Sequence, residues 1–207
     1  VFCMTSNYAP DGLYPDGLQR GNFLPAIELL KQKFDVIEVD GGIDYRLRTL
    51  EKIDIYLTPA DVAAEQRMAD DFALITGERS APGNIEVLER KLPVRRGAPG
   101  VIWFDFATLC GGPRSQNDYL DLACRFHTVF LSGVPRMTPE QAAEARRFTW
   151  LIDVFYEYKV KLILSAECEA ENLYREGLGA NEFSRTVSRL IEMRSHDYLA
   201  APHRGGE

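Results

Sequence analysis

Two apolar runs, Thr128-Val129-Phe130-Leu131 and Val160-Lys161-Leu162-Ile163-Leu164, are separated by a segment of helical periodicity. A run without polar alternation has no solvent face, so it needs cover on both sides. The intervening helix starts at Thr138-Pro139-Glu140-Gln141, by cap and first-turn proline, and runs to about Tyr158 with Phe148, Leu151, Ile152 and Phe155 on one face. Further helices are predicted from Asn117 to Phe126 and from about Glu182 to Arg194. Apolar strands alternating with helices predict an α/β fold, with a parallel sheet and helices on both faces.

Three zones follow from this frame. Zone one, 1–42, reads as strand, turn-rich loop, helix and strand: Val1 to Ser6 is apolar, Pro10-Asp11-Gly12 and Pro15-Asp16-Gly17 are turn sequences, and a helix capped by Asn22 carries Phe23, Ile27, Leu30 and Phe34. Asp35 to Asp40 reads as the second strand. Zone two, 43–106, reads as a β-rich, largely antiparallel insertion. It has an alternating strand at Tyr45 to Leu50, a helix from Thr58-Pro59 to Gly77, and strands at Ile85 to Arg90 and Val101 to Phe106. Zone three, 107–207, holds the alternating strands and helices, with a frayed tail from Pro202. No repeat is expected among the zones, and no segment is of low complexity.

Composition narrows the function classes. The 207 residues hold 24 Lys and Arg against 31 Asp and Glu, a net charge of −7, which argues against strong nucleic-acid binding. No run approaches the roughly 20 apolar residues of a membrane helix, so membrane contact is at most peripheral. Cys3, Cys110, Cys124 and Cys168 form no metal-ligand spacing with His127, His196 or His203. They read as buried thiols in a reducing cytoplasm, with no metal site. The chain opens inside an apolar run without an initiator Met, and so reads as a piece of a longer chain.

The polar trio Thr5-Ser6-Asn7 ends an apolar strand, where open α/β sheets bind ligands. Asn7 there can orient a water or touch a phosphate oxygen; a plain strand-ending turn is the alternative. Arg20, before the first helix, can project into a neighbouring subunit's phosphate site or lie solvated at the helix edge. Arg146 and Arg147 can close over a nucleotide, or pair at the surface with Glu140, Glu144 or Asp153. Arg185 and Arg189 share one helix face and suit either a phosphate clamp or solvent. Arg90, Lys91, Arg95 and Arg96 near Trp103 suit an acidic partner or a solvated hairpin. Cys110 as a nucleophile would need His127 as its base. No GxxxxGK[ST] occurs in the 207 residues, so the chain by itself has no loop to cradle a triphosphate and its metal.

The run Thr5 to Tyr14, with Gly17-Leu18-Gln19-Arg20 and Phe23-Leu24-Pro25, closely resembles the AFG-like ATPases. So do Asp44-Tyr45-Arg46, Leu109-Cys110-Gly111, Val134-Pro135-Arg136-Met137, Ala145-Arg146-Arg147-Phe148 and Phe183-Ser184-Arg185-Thr186, in order along the chain. The resemblance implies the C-terminal part of a P-loop NTPase of AAA+ type. It implies that Asn7 is the sensor that orients the attacking water and that Arg20 is a finger acting across a subunit interface. It also implies a second sensor arginine among Arg146, Arg147, Arg185 and Arg189. ATP and Mg²⁺ are the implied cofactors of the intact protein, neither expected to bind this chain tightly. The implied partners are other copies of itself in a homo-oligomer and a protein substrate or division-ring protein. The implied setting is the bacterial cytoplasm, or the mitochondrion for eukaryotic relatives. A noncatalytic interaction module, with zone two as its surface, is the alternative.

Overall fold

The computed structural model describes residues 4, 6, 10–13, 20–36, 50, 52–77 and 81–205. The chain divides into two compact units, Val1–Asp44 and Tyr45–Glu207.

In the first unit, 3-10 turns at Pro10–Gly12 and Arg20–Asn22 precede helix α1, Leu24–Lys33. Pro25 sits in the first turn of α1, where its missing N–H costs nothing. The cap falls on Phe23 rather than on the predicted Asn22, because Asn22 is taken into the preceding 3-10 turn. Ile27 is buried, whereas Phe23 and Phe34 stay partly exposed. The strand predicted at Val1 to Ser6 is described only at Met4 and Ser6, and the one at Asp35 to Asp40 only at Asp35 and Val36.

The second unit is built on a five-stranded sheet in the order β1-β7-β6-β5-β4. Its strands are β1 (Tyr56–Leu57), β4 (Arg96–Ala98), β5 (Val101–Asp105), β6 (Thr128–Val134) and β7 (Lys161–Ala166). All pairings are parallel except β4 with β5. Helix α2 (Val62–Thr76) covers one face, placing Ala64, Met68 and Phe72 on Leu57, Val101, Trp103, Phe130 and Ile163. Helices α3 (Gln116–Arg125), α4 (Ala142–Glu157), α5 (Ala180–Glu192) and α6 (His196–Ala200) belong to the larger core. That core holds Ile102, Phe104, Val129, Leu131, Leu162 and Leu164. The alternation along each strand sorts the two sets, because successive side chains leave opposite faces. The predicted α/β class, with a mainly parallel sheet and helices on both faces, is what forms.

The expected insertion is narrower than 43–106. Only β2 (Gly83–Val87) and β3 (Arg90–Val94) form a separate antiparallel pair, and even there Val87, Leu92 and Val94 are buried in the main core. Strand β5 lies inside the main sheet, with Trp103 opposite Phe130, because its residues are apolar on both faces. Removing 43–106 would take out β1, β4 and β5, three of the five strands of the main sheet, so this segment is no detachable surface module. Helix α2 begins at Asp61, whose carboxylate accepts from the Ala64 amide at 2.8 Å, and not at Thr58-Pro59; Gly77 at φ +70 ends it as predicted. Of the strand predicted at Tyr45 to Leu50, only Leu50 is described, and it is helical and buried. The tail is pinned rather than frayed through Gly205. The Arg204 amide donates to Tyr158 O at 2.9 Å, and His203 Nε2 donates to Ala123 O at 2.7 Å.

Candidate functional site

Arg20 closes the loop of the first unit. Its Nη2 donates to Asp11 O at 2.7 Å, and its Nε is buried with no hydrogen-bond partner among the described residues. Asp11 also takes Lys31 Nζ at 3.0 Å, so loop and helix are tied by one short acidic residue. Asn7 lies outside the described residues.

The four arginines of the second unit separate into distinct settings. Arg146 is exposed and stacks on Trp150 at 5.1 Å, one turn along α4. Arg147 turns inward; its Nε donates to Cys110 O at 2.6 Å, and its Nη2 lies 3.4 Å from Glu144. Arg185 and Arg189, one turn apart on α5, both bond the Asp153 carboxylate of α4, and Arg189 also lies over the Tyr156 ring at 4.9 Å. Asp153 therefore fastens α5 to α4, and these two guanidiniums face a carboxylate already. Of the four, Arg146 has a cation without a carboxylate partner among the described residues.

The structure brings together a group that the sequence kept apart. The register places Asp105 of β5 opposite Ser132 of β6, and Ser165 of β7 opposite Leu57 of β1, on the sheet face that α2 covers. These are the carboxyl ends of parallel strands, the region where open α/β sheets take ligands. Arg95 fills the crevice. Its guanidinium pairs with Glu65 of α2, lies 3.1 Å from Asp105, and donates to Ser132 Oγ at 3.0 Å. Trp103 Nε1 donates to the same hydroxyl at 2.8 Å, and Gly133 N donates to Ser165 Oγ at 3.0 Å. Arg95 and Arg96 both lie 5.3 Å from the Trp103 ring centre, a cation–π arrangement. An open groove of about 450 Å³ runs beside this cluster past Pro82 and Pro93. Sequence reasoning listed Arg95 and Trp103 with the hairpin but missed Glu65, Asp105, Ser132 and Ser165; polar residues at the ends of predicted parallel strands were the available signal.

The other readings resolve on burial. Arg90 of the basic hairpin pairs with Asp118, which is 1% exposed, so with Arg95 and Arg96 it serves internal contacts. Cys110 is buried, and burial pushes its thiol far above the ordinary range. A neutral thiol has little nucleophilic strength, and His127 bonds Thr128 Oγ1 at 2.9 Å instead of serving as a base. Cys110 is the one described cysteine fully buried; Cys124 is exposed and Cys168 partly so, which corrects the expectation of uniformly buried thiols. Among the described residues no three His, Cys, Asp or Glu side chains are grouped to hold a metal ion, and no helix is long and apolar enough to cross a membrane. The donor set in the crevice is a guanidinium between two carboxylates, which fits neither a triphosphate nor Mg²⁺.

The chain is similar to Escherichia coli (strain K12) cell division protein ZapE, 44% identical over 203 residues, covering 98% of this chain and 54% of that protein. It is 32% identical over 233 residues to the uncharacterized protein C115.02c of Schizosaccharomyces pombe, covering 98% and 51%. It is 30% identical over 234 residues to lactation elevated protein 1 homolog B of Danio rerio, covering 96% and 46%. The chain thus spans about half the length of these curated relatives. No solved structure matches it significantly. The AFG1-like ATPase family matches over residues 1–202, and with the mainly parallel α/β sheet this settles the assignment: the chain belongs to the AFG1-like ATPase family.

Proposed function

We propose that these 207 residues form the C-terminal part of an oligomeric ATPase of AAA+ type that couples ATP hydrolysis to the remodelling of a protein partner in cell division. The observation that carries this reading is the family match along 1–202, together with the cell-division name of a relative 44% identical to the chain. Asn7 is proposed to orient the attacking water, and Arg20 to stabilise charge on the transferring phosphoryl group of a neighbouring copy. What supports the second role is that Asp11 O holds the Arg20 Nη2 and so fixes the direction of the guanidinium. Arg146 is the strongest of the four second-sensor candidates, since Arg147, Arg185 and Arg189 already face carboxylates. Without GxxxxGK[ST] the 207 residues alone are expected to turn over no ATP. The setting proposed is the bacterial cytoplasm, with a division-ring protein as partner.

The test is Arg20→Ala in the protein carrying a phosphate-binding loop. ATP turnover should fall at least 100-fold, in line with the roughly 10³–10⁵ of an arginine finger supplied in trans, with nucleotide affinity little changed. Mixing this variant with an Asn7→Ala variant should restore part of the turnover, because finger and water-orienting residue then come from different copies. Turnover equal to the parent would remove the finger role.

A further inference from the structure

The sequence before and within α5 resembles one near the start of the chain. A shift of 160 residues without a gap aligns Leu13-Tyr14 with Leu173-Tyr174, Gly17-Leu18 with Gly177-Leu178, Phe23 with Phe183 and Leu30 with Leu190. Part of the described structure follows the same shift. The 3-10 turn Pro10–Gly12 corresponds to Ala170–Asn172, and the closing bonds are Leu13 N to Pro10 O at 3.2 Å and Leu173 N to Ala170 O at 3.3 Å. Helix α1, Leu24–Lys33, shifts onto 184–193 and so overlaps α5, Ala180–Glu192, in all but its last residue, while the 3-10 turn Arg20–Asn22 shifts onto the first residues of α5.

The shared residues are those the turn requires. Gly177 has φ +121, and a Cβ there would lie 2.3 Å from the Tyr174 hydroxyl and 2.9 Å from Pro139 Cα. Only glycine meets both demands. The Tyr174 hydroxyl donates to Leu178 O at 3.0 Å across this bend, and Leu173 is fully buried beneath it. Nothing in the structure explains the identity of the exposed Leu178 side chain.

We propose that residues 1–33 and 161–193 are two copies of one sequence unit, and that the sheet of the second unit is a duplicate ATPase-type core without nucleotide chemistry. The residues of the two copies differ where chemistry would be done. Asn7 corresponds to Glu167 and Arg20 to Ala180. Glu167 ties strand ends together: its carboxylate accepts from the Arg136 amide at 2.9 Å while its own amide donates to Val134 O at 2.9 Å. The crevice above β5, β6 and β7 is closed by Arg95 between Glu65 and Asp105, so a guanidinium of the chain stands where a ligand would. The second core is a silent scaffold, and its silence, though not the duplication, rests on the ATPase reading of the first.

An experimental structure of the protein decides the duplication. Gly17 should show a positive φ, and the Tyr14 hydroxyl should donate to Leu18 O, as their counterparts do. A Gly17 with negative φ and a Tyr14 directed elsewhere would overturn it. Titration with a fluorescent ATP analogue, on the protein carrying a phosphate-binding loop, decides the silence. One nucleotide per chain, lost when the lysine of that loop is changed to Ala, is the expected result. Two per chain, or one that survives that change, overturns the silent core. No binding at all sinks the ATPase reading instead and leaves the second core silent, so the two failures are told apart.

Discussion

Ionisable side chains in the second unit divide by whether their burial is answered. Asp118 is answered: burial opposes its charge, but the Ser115 amide and hydroxyl and the Arg90 guanidinium outweigh that and hold its carboxyl below the usual range. Its folded value lies below the unfolded one, so it adds stability above the unfolded value and loses it as pH falls through the folded one. Asp71 on α2 is not answered. Burial first, then Asp54 and Asp70, push it up from 3.8 to about 6. Its folded value lies above the unfolded one, so a stability penalty is fully present above about 6 and relieved below 3.8. Asp71→Asn should therefore raise stability at pH 7.5 by about 1 kcal/mol, discounted for partial solvent access, and change little at pH 3.5. Urea unfolding at the two pH values checks this, and an equal gain at both would show that charge is not the cause. Residue by residue, chemistry was readable from types and spacing, but partners were not. The four-residue spacing of Arg185 and Arg189 showed a shared face, whereas Asp153, 32 and 36 residues away, became their partner only through helix packing.

Among the elements, helices and strands of zone three formed close to their predicted positions because their signals are local. Ser115 with Asp118 and Thr138 with Gln141 both make capping boxes at helix starts. The sites of disagreement are also informative. Strand β5 follows an antiparallel pair in sequence, yet its two apolar faces make it an interior strand of the main sheet. The tail from Pro202 carries no local signal of order, since its ties are long-range. Lys161, 7% exposed at the start of β7, donates to Tyr198 O at 2.9 Å and Ala201 O at 2.6 Å, with its Nζ 5.1 Å from the Tyr198 ring. Lys161→Met keeps the apolar stem but leaves two carbonyls without this donor, at a cost of about 1–3 kcal/mol. Amide exchange should then rise over 196–204 while β6 keeps its protection. A uniform rise across the sheet would show that Lys161 supports the core as a whole rather than the tail.

At the level of the whole molecule, Tyr45–Glu207 carries its own core on two sheet faces. A chain of residues 45–207 should accordingly unfold in one cooperative urea transition and keep its near-ultraviolet aromatic signal. Binding of a hydrophobic dye without such a transition would show that the first unit is needed for this core. The duplicate-core reading makes the same demand, since a core descended from a folding unit should fold as one.

By itself the sequence determined the α/β class, the main strand and helix positions, and the membership in an ATPase family, because hydrophobic period, caps and turn residues act over a few neighbours. It held the repeat as well, though the turn residues that make it convincing gained their meaning only from the φ of Gly177 and the Tyr174 bond. Tertiary structure alone decided which polar residues meet. Glu65 and Ser165 stand 100 residues apart and approach to 3.5 Å because strand order and parallel register stack β5, β6 and β7 beneath α2. Local propensity carries no record of that order, since strand pairing depends on which faces find cover once the whole sheet has assembled.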